Sequence, residues 1–546
     1  MSYPAFVLAS LAIVIATFGA VVTVRSRGGA IAAAFAGATA LLLVHGLGFF
    51  RFYADDSFIT FRYARHLADG LGPNWNSTGH VEGYTNFSWM LIMASFSKVG
   101  ADLVVVSQVL GAVAMLATLY VVYLLWKRWS DEEPESGIEI PVVLAAALSG
   151  ITLTGAVPFW GFSGMETPLF TLLLTLGAYR FVIEGRSEAA LPVSAAVFAA
   201  AAMTRPEGLI AVAVTGAFVL ARAVDTERNA IDLRRPLVWG ATFALLYVPY
   251  FAWRYAYYDY LLPNTFYAKV EPNRDLFDRG IDYVWAYGMR FLLPALLVGG
   301  ALLLTRPALR RDAAYVLALV GVMLAAVIFE GGEDFPHGRL VAPVLPLIYI
   351  TGVAGLAMAL RQLAIPPRQR ALIATLALTL AALALLRGSH DLLGPIARER
   401  DALEERKTLA RWLDGNTPED YTIAAYAVGA IGYYADRDVL DMLGLNDTTI
   451  AHTDVPGLGT GFGGHEKYNI DYVLDEVRPE IIVINDGEPQ AFTEEELRER
   501  AKVPSPVPAR DRLFADERLW ERYDVVSIQI DGVWYNLLQR SDTIAR

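Results

Sequence analysis

Apolar residues along the chain gather into runs of roughly 20, the length an α-helix needs to cross a bilayer, and polar stretches separate them. The runs predict spans near 4–24, 29–50, 101–126, 140–157, 167–184, 189–204, 207–222, 236–253, 287–304, 313–330, 340–360 and 370–387. Arg205-Pro206-Glu207 interrupts what would otherwise be one segment from 189 to 222. The first run, PAFVLASLAIVIATFGAVVTV, has no basic leader and no small-residue cleavage site, so it reads as a span and not as a removed signal.

With twelve spans, six alternate connections fall on one side. They carry Arg25 and Arg27; Lys127 and Arg128; Arg180 and Arg186; Arg222, Arg228, Arg234 and Arg235; Arg306, Arg310 and Arg311; Arg361, Arg368 and Arg370. By the positive-inside rule that side is the cytoplasm of a plasma-membrane protein. The opposite, extracytoplasmic side then receives 51–100, 158–166, 254–286, 331–339 and everything after 388.

Residues 388–546 contain no spanning run, which divides the chain into a membrane part, 1–387, and a C-terminal α/β domain. ERDALEERKTLARWLDG (399–415) has the pattern of an amphipathic helix closed by Gly415. YTIAAYA and EIIVIND read as buried strands, and VVSIQIDGVWYNLL as a hairpin turning at Asp531-Gly532. The expected fold is therefore a polytopic α-helical membrane protein of about twelve spans with an outward α/β domain.

Composition sharpens this picture. The chain is 55% hydrophobic over 546 residues, with a mean hydropathy of +0.39, far from an ordinary soluble enzyme. It has no cysteine, which excludes disulfides, zinc-thiolate sites and thiol catalysis. From residue 388 onward there are 31 acids against 17 bases, whereas the preceding part is nearly balanced, with 26 against 28. An acidic outer domain excludes nucleic acid as a partner, since that needs a basic footprint.

The informative residues of a membrane protein are charged groups near bilayer depth outside the cytoplasmic loops. In FYADDSFITFRYARHLADG (52–70), one aspartate can cap a helix over 57–69 that Gly70 stops. The pair Asp55-Asp56 needs another reason, because adjacent carboxylates repel and raise one pKa. A raised carboxylate suits a general base, and a pair also suits a divalent cation such as Mg, Mn or Ca. Asp55, farther from the capping position, is the first choice for the base. Arg62, His66 and Asp69 share a face of the same helix, and Glu82, Tyr84 and Asn86 follow among glycines.

Four more groups lie on the same side. Glu166 precedes a span, where a helix N-terminus favours an acid in any case. Arg205 and Glu207 either hold a broken helix together or offer Arg205 to a phosphate. Asn264, Tyr267 and Lys269 follow a Pro-Asn turn; Lys269 is one of six lysines in a chain with 39 arginines. It reads as a phosphate contact or as a snorkelling side chain. Glu330, Glu333, Asp334, His337 and Arg339 crowd one turn, which is costly without a ligand. Together these groups describe an outward cavity with carboxylates at one pole and Arg, Lys and His at the other. It suits transfer from a lipid-linked phosphate: cations hold the leaving group while a carboxylate deprotonates the incoming hydroxyl. There is no P-loop and no G-x-G-x-x-G for a nucleotide; AVGAIGYY has the wrong glycine spacing.

DDSFITFRYARHLADGLGPNWN…VEGYTNFSW, followed by RPEG, LPNTFYAK and the turn GGEDFPHGR, resembles the GT-C glycosyltransferases. It looks most similar to the branch with the mycobacterial terminal arabinofuranosyltransferases (AftB-type). The likeness continues through GAIGYYADRDVLDMLGLNDTTIA and GGHEK. The branch's turn reads GGDF, whereas here Glu333 is added. The resemblance implies a polyprenyl-phosphate sugar donor used on the extracytoplasmic face. It implies inversion by a single displacement, with Asp55 and Asp56 as the catalytic carboxylates and the later loops binding donor phosphate and sugar. For this branch the sugar is arabinofuranose and the acceptor a cell-wall arabinan. The rivals are a hexose or mannose on the same chemistry, a transporter or flippase of lipid-linked sugars, and a glycan-binding scaffold. A transporter should show inverted repeats, and the sequence shows none.

Overall fold

The computed structural model describes residues 3–49, 52–185, 191–225, 230–333, 335, 337–390, 393–505 and 507–544. Among them, eight helices are long and apolar enough to cross a membrane: Ala5–Thr23, Arg27–Gly48, Leu103–Glu132, Thr167–Glu184, Arg234–Tyr258, Arg310–Phe329, Ala342–Gln362 and one that begins at Pro367. Two more expected spans are bent pairs, Pro141–Leu153 with Ala156–Phe162 at 58°, and Arg274–Arg290 with Leu293–Thr305 at 79°. The first bend sits at Gly155, where φ is +68° and a Cβ would come within 2.5 Å of the Ser389 hydroxyl, so only glycine fits. The remaining two of the expected twelve are Val193–Thr204 and Gly208–Ala223. At 1.5 Å per residue neither bridges a ~30 Å hydrocarbon core as a straight helix. Up to ten segments thus meet the length requirement, and the Arg-Pro-Glu break is the reason the other two do not. The chain is a multi-pass membrane protein.

Between the spans lie three short helices that build the site: α1 (Asp55–Ala68), α2 (Phe87–Ser97) and α3 (Asn264–Lys269). α1 starts two residues earlier than its sequence suggests. Its N-cap is Ala54 and its first turn holds both aspartates, neither of which caps it. It ends at Ala68, and Gly70 (φ +86°) supplies the left-handed exit.

The C-terminal part begins with α4 (Leu393–Asn416), which runs through Gly415 instead of stopping there; Pro418 follows. Then come β1 (Thr422–Ala425), α5 (Val428–Ala435), β2 (Asp438–Asp441), β3 (Ile481–Val483), β4 (Tyr523–Ile530) and β5 (Val533–Arg540). The five strands form one mixed sheet in the order β2-β1-β3-β5-β4. β1 pairs in parallel with β2 and β3, with Ile423 opposite Val439 and Ile481. β4 and β5 are the expected hairpin, with Asp531 (φ +50°) and Gly532 (φ +85°) in its turn.

This layer does not hang free of the membrane part. Phe58, Phe61 and Tyr63 of α1 belong to one buried cluster with Leu409, Ile423, Val428 and Ile431. Each such side chain removed from water contributes about 1.5–3 kcal/mol. Polar links reinforce the seam: Trp75 Nε1 donates to the Val439 carbonyl at 2.8 Å, and Arg279 pairs with Glu466 at 3.1 Å.

Candidate active site

A cavity of about 380 Å³ opens where the loops meet the C-terminal layer. Asp55, Asp56, Tyr84, Asn86, Glu166, Arg205, Lys269 and Arg339, all singled out from the sequence, line it. So do Tyr53, Glu207, Arg279, Glu330 and Glu333, together with Glu399, Arg406, Tyr426 and His465 from the C-terminal layer.

The cationic side chains are not equivalent. Arg205 donates to Glu166 at 2.7 Å and also pairs with Glu207. Asn86 Nδ2 donates to the other oxygen of Glu166 at 2.8 Å. Burial acts to raise the Glu166 carboxyl, but Arg205 and Arg339 outweigh it and hold it below its ordinary range. Arg339 is clasped by Glu333 at 2.5 Å and reaches Asp56 only at 4.0 Å. Arg406 forms a two-pronged pair with Asp486 at 2.6 and 2.8 Å. Lys269 differs: among the described residues no carboxylate lies within ion-pair distance of it. Burial lowers its pKa, and the nearby Asp56 carboxylate opposes that shift. Gly464, at φ +81°, lets the 462–465 loop lie against the Lys269 stem, with a Cβ position only 3.0 Å from Cε. This loop brings in His465, whose imidazole burial pushes toward the neutral form.

The two aspartates also differ. Asp55 Oδ2 accepts the Gly429 N–H at 2.8 Å and Oδ1 the Ala430 N–H at 3.1 Å, with Arg406 at 3.8 Å. Burial raises its pKa, and Arg406 and the two N–H groups counter that. The Asp56 side chain is 24% exposed, and the residue lines the cavity. Neighbouring carboxylates were expected to suit a divalent cation. The lone pairs of Asp55 are already directed at N–H groups, and among the described residues no three His, Asp or Glu side chains gather as metal ligands. Among the described residues the carboxylates at the cavity thus do not assemble a metal site.

Five expected site residues lie away from the cavity. Arg62, 2% exposed, gives its guanidinium to the carbonyls of Trp75 (2.6 Å), Gly432 and Arg437 (2.7 Å). Glu82 is locked with Arg254 at 2.5 and 2.9 Å behind the wall. Asn264 ties α3 to the C-terminal layer through the carbonyls of Gly444 (2.8 Å) and Leu445 (3.0 Å). Tyr267 stacks near His452 with ring centroids 4.4 Å apart. His337 is fully buried against Phe159, centroids 3.9 Å apart, and neither ring nitrogen has a hydrogen-bond partner among the described residues. Asp334 lies outside the described residues. Sequence reasoning missed Arg406 and His465; the quoted GGHEK stretch held the second, but nothing local marked Arg406 within an amphipathic helix.

Residues 396–536 match the model of a domain of unknown function, DUF8728. No curated protein sequence matches the chain. Solved structures similar over nearly its whole length include an ArnT and an oligosaccharyltransferase. ArnT from Cupriavidus metallidurans bound to undecaprenyl phosphate is 13% identical, with a TM-score of 0.53 over 94% of this chain and 98% of that one. The archaeal oligosaccharyltransferase AglB from Archaeoglobus fulgidus, in complex with an inhibitory peptide and a dolichol-phosphate, is 11% identical, with a TM-score of 0.50 over 93% of this chain and 75% of that one. At such identities the likeness establishes the fold, which is the GT-C membrane fold.

Proposed function

We propose that the chain is a glycosyltransferase that moves a sugar from a polyprenyl phosphate to an acceptor hydroxyl in the cavity described above. One observation carries the reading: Asp56, held only by a long ion pair to Arg339 at 4.0 Å, and Lys269, with no ion-pair partner among the described residues, line the same cavity. The fold supports it, since the similar ArnT and AglB structures hold undecaprenyl phosphate and a dolichol-phosphate. Asp56 accepts the proton of the acceptor hydroxyl as that oxygen attacks the anomeric carbon. The bond from that carbon to the phosphate oxygen breaks, and its electron pair leaves with the polyprenyl phosphate. Lys269 and Arg339 stabilise the developing negative charge from their side of the cavity. Single displacement inverts the anomeric configuration. The basic residues of the alternate connections, counted over twelve spans, support an extracytoplasmic cavity. Sequence resemblance alone supports arabinofuranose as the sugar and an arabinan as the acceptor.

The test uses purified protein in lipid discs, radiolabelled polyprenyl-phosphate arabinofuranose and a synthetic arabinan. Wild type transfers label, and Asp56→Asn lowers turnover by roughly 10²- to 10⁴-fold, the usual range for loss of a positioned base. Transfer only from a polyprenyl-phosphate hexose replaces the sugar and leaves the mechanism. Consumption of no lipid-linked donor overturns the reading.

A further inference from the structure

Asp55 and Arg62 stand seven residues apart on α1, two helical turns or about 10.5 Å. The helix packed beside them, α5, has eight residues, about 12 Å. Its first free N–H groups meet the Asp55 carboxylate, at Gly429 and Ala430. Its last carbonyls and the exit from it meet cations: Arg62 takes Gly432 and Arg437, and Arg65 takes Tyr433 at 2.9 Å. Arg65 also pairs with Asp436 at 3.2 Å. α1 thus offers an acid to the positive end of α5 and bases to its negative end. Both ends match the orphan groups and the dipole of a helix.

The fit is close enough to exclude a side chain. A Cβ at position 429 would stand 2.0 Å from the Asp55 carbonyl oxygen and 2.8 Å from Oδ2, and one at 432 would stand 2.6 Å from the Trp75 ring. α5 lies within the matched domain of unknown function, residues 396–536. The same domain supplies Arg406 and His465 to the cavity.

We propose that this domain is a working half of the active site: α5 clamps Asp55, and Asp55 is a positioning residue that aims the adjacent Asp56 into the cavity. The proposal rests on the sugar-transfer reading for what Asp56 does, and not for the clamp itself. Division of labour explains why two like charges stand side by side: one is consumed by N–H groups, which leaves the other free to take a proton.

Two measurements on the full chain in lipid discs test it. The first needs no activity: amide hydrogen exchange of the peptide containing Gly429 and Ala430. Protection there falls at least about tenfold in Asp55→Ala and stays at the wild-type level in Asp56→Ala. Equal protection in both variants overturns the clamp. The second is turnover. Gly429→Ala alters no charge and needs no unusual φ, yet it pushes α5 away from Asp55. It lowers kcat by roughly 10- to 100-fold, as small misplacements of reacting groups do, with little change in donor KM. Asp55→Asn, whose amide oxygen still accepts an N–H, retains more turnover than Asp55→Ala and leaves the acid limb of the pH–rate profile where wild type has it. If Asp55→Asn is as inactive as Asp56→Asn while Gly429→Ala matches wild type, Asp55 is the base and the proposal is wrong. If wild type transfers no sugar but the exchange pattern holds, the sugar-transfer reading fails and the clamp stands.

Discussion

Behind the cavity wall, Arg254 and Glu82 form a sealed pair, 3% and 4% exposed. On the wall, Lys269 faces the cavity with no carboxylate of its own among the described residues. In the sequence the two cations look alike, each among aromatic residues close to a span. The difference is whether a charge is already answered. A sealed pair contributes to one fixed geometry, and removing one partner leaves a buried charge stranded. Lys269 is desolvated in part, with Asp56 nearby but no ion pair among the described residues to offset the cost, which folding alone does not reward. Such a group is where a ligand's opposite charge belongs.

Exchanging the two cations separates these roles. Lys269→Met should reduce turnover by roughly 10²- to 10³-fold, the usual effect of deleting one group that stabilises transition-state charge. Its thermal midpoint should stay level or rise, because a partly desolvated cation without an ion-pair partner among the described residues is gone. Arg254→Met should do the reverse. The unfolding free energy should fall by about 3–5 kcal/mol through the stranded Glu82, while whatever protein remains folded turns over normally. A stable but inactive Arg254→Met would erase the distinction.

Arg62 is a second sealed cation and gives a smaller effect. Replacing it with Met leaves the carbonyls of Trp75, Gly432 and Arg437 without their buried donor. An unsatisfied buried group costs about 1–3 kcal/mol. The loss should appear as a lower unfolding midpoint and faster proteolysis at the seam with the C-terminal layer. Donor KM should not change, since Arg62 does not line the cavity. A large rise in donor KM would return Arg62 to phosphate recognition.

These contrasts also mark what the sequence could reveal. Hydropathy period and length located the membrane helices, because a bilayer imposes one rule on every span. The hairpin was legible through its turn residues, and the strands at 422–425 and 481–483 as short apolar runs. Strand β2 was not, since the acids at both ends of DVLD leave no apolar run to mark it. At the site, Asp56, Glu166, Arg205, Lys269 and Arg339 were found as charges in a costly place. Whether each charge was already answered could not be read. Arg62 finds two of its carbonyls 370 and 375 residues away, and Asp55 its N–H groups 374 and 375 residues away. Local pattern holds no information at that separation.

His337 offers the subtlest contrast, because it is an unanswered group that does not face the cavity. Burial, with Arg290 adding to it, pushes its imidazole down to about 3. It is therefore neutral near pH 7 and cannot hold a phosphate by charge. An unfolded chain binds the same proton near pH 6.5, so acid favours the unfolded state. The stability this neutral ring contributes is complete above about 6.5 and is lost as pH falls toward 3. His337→Asn keeps a residue tolerant of the local φ of +82° and removes the titration. Measured against wild type, it should flatten the decline in stability between pH 7 and pH 5 by about 2 kcal/mol. The comparison is of slopes, so any constant cost of burying the amide drops out. Parallel slopes would mean that the ring is hydrated or charged in the folded protein. His337 would then rejoin Lys269 among the cations that await a ligand.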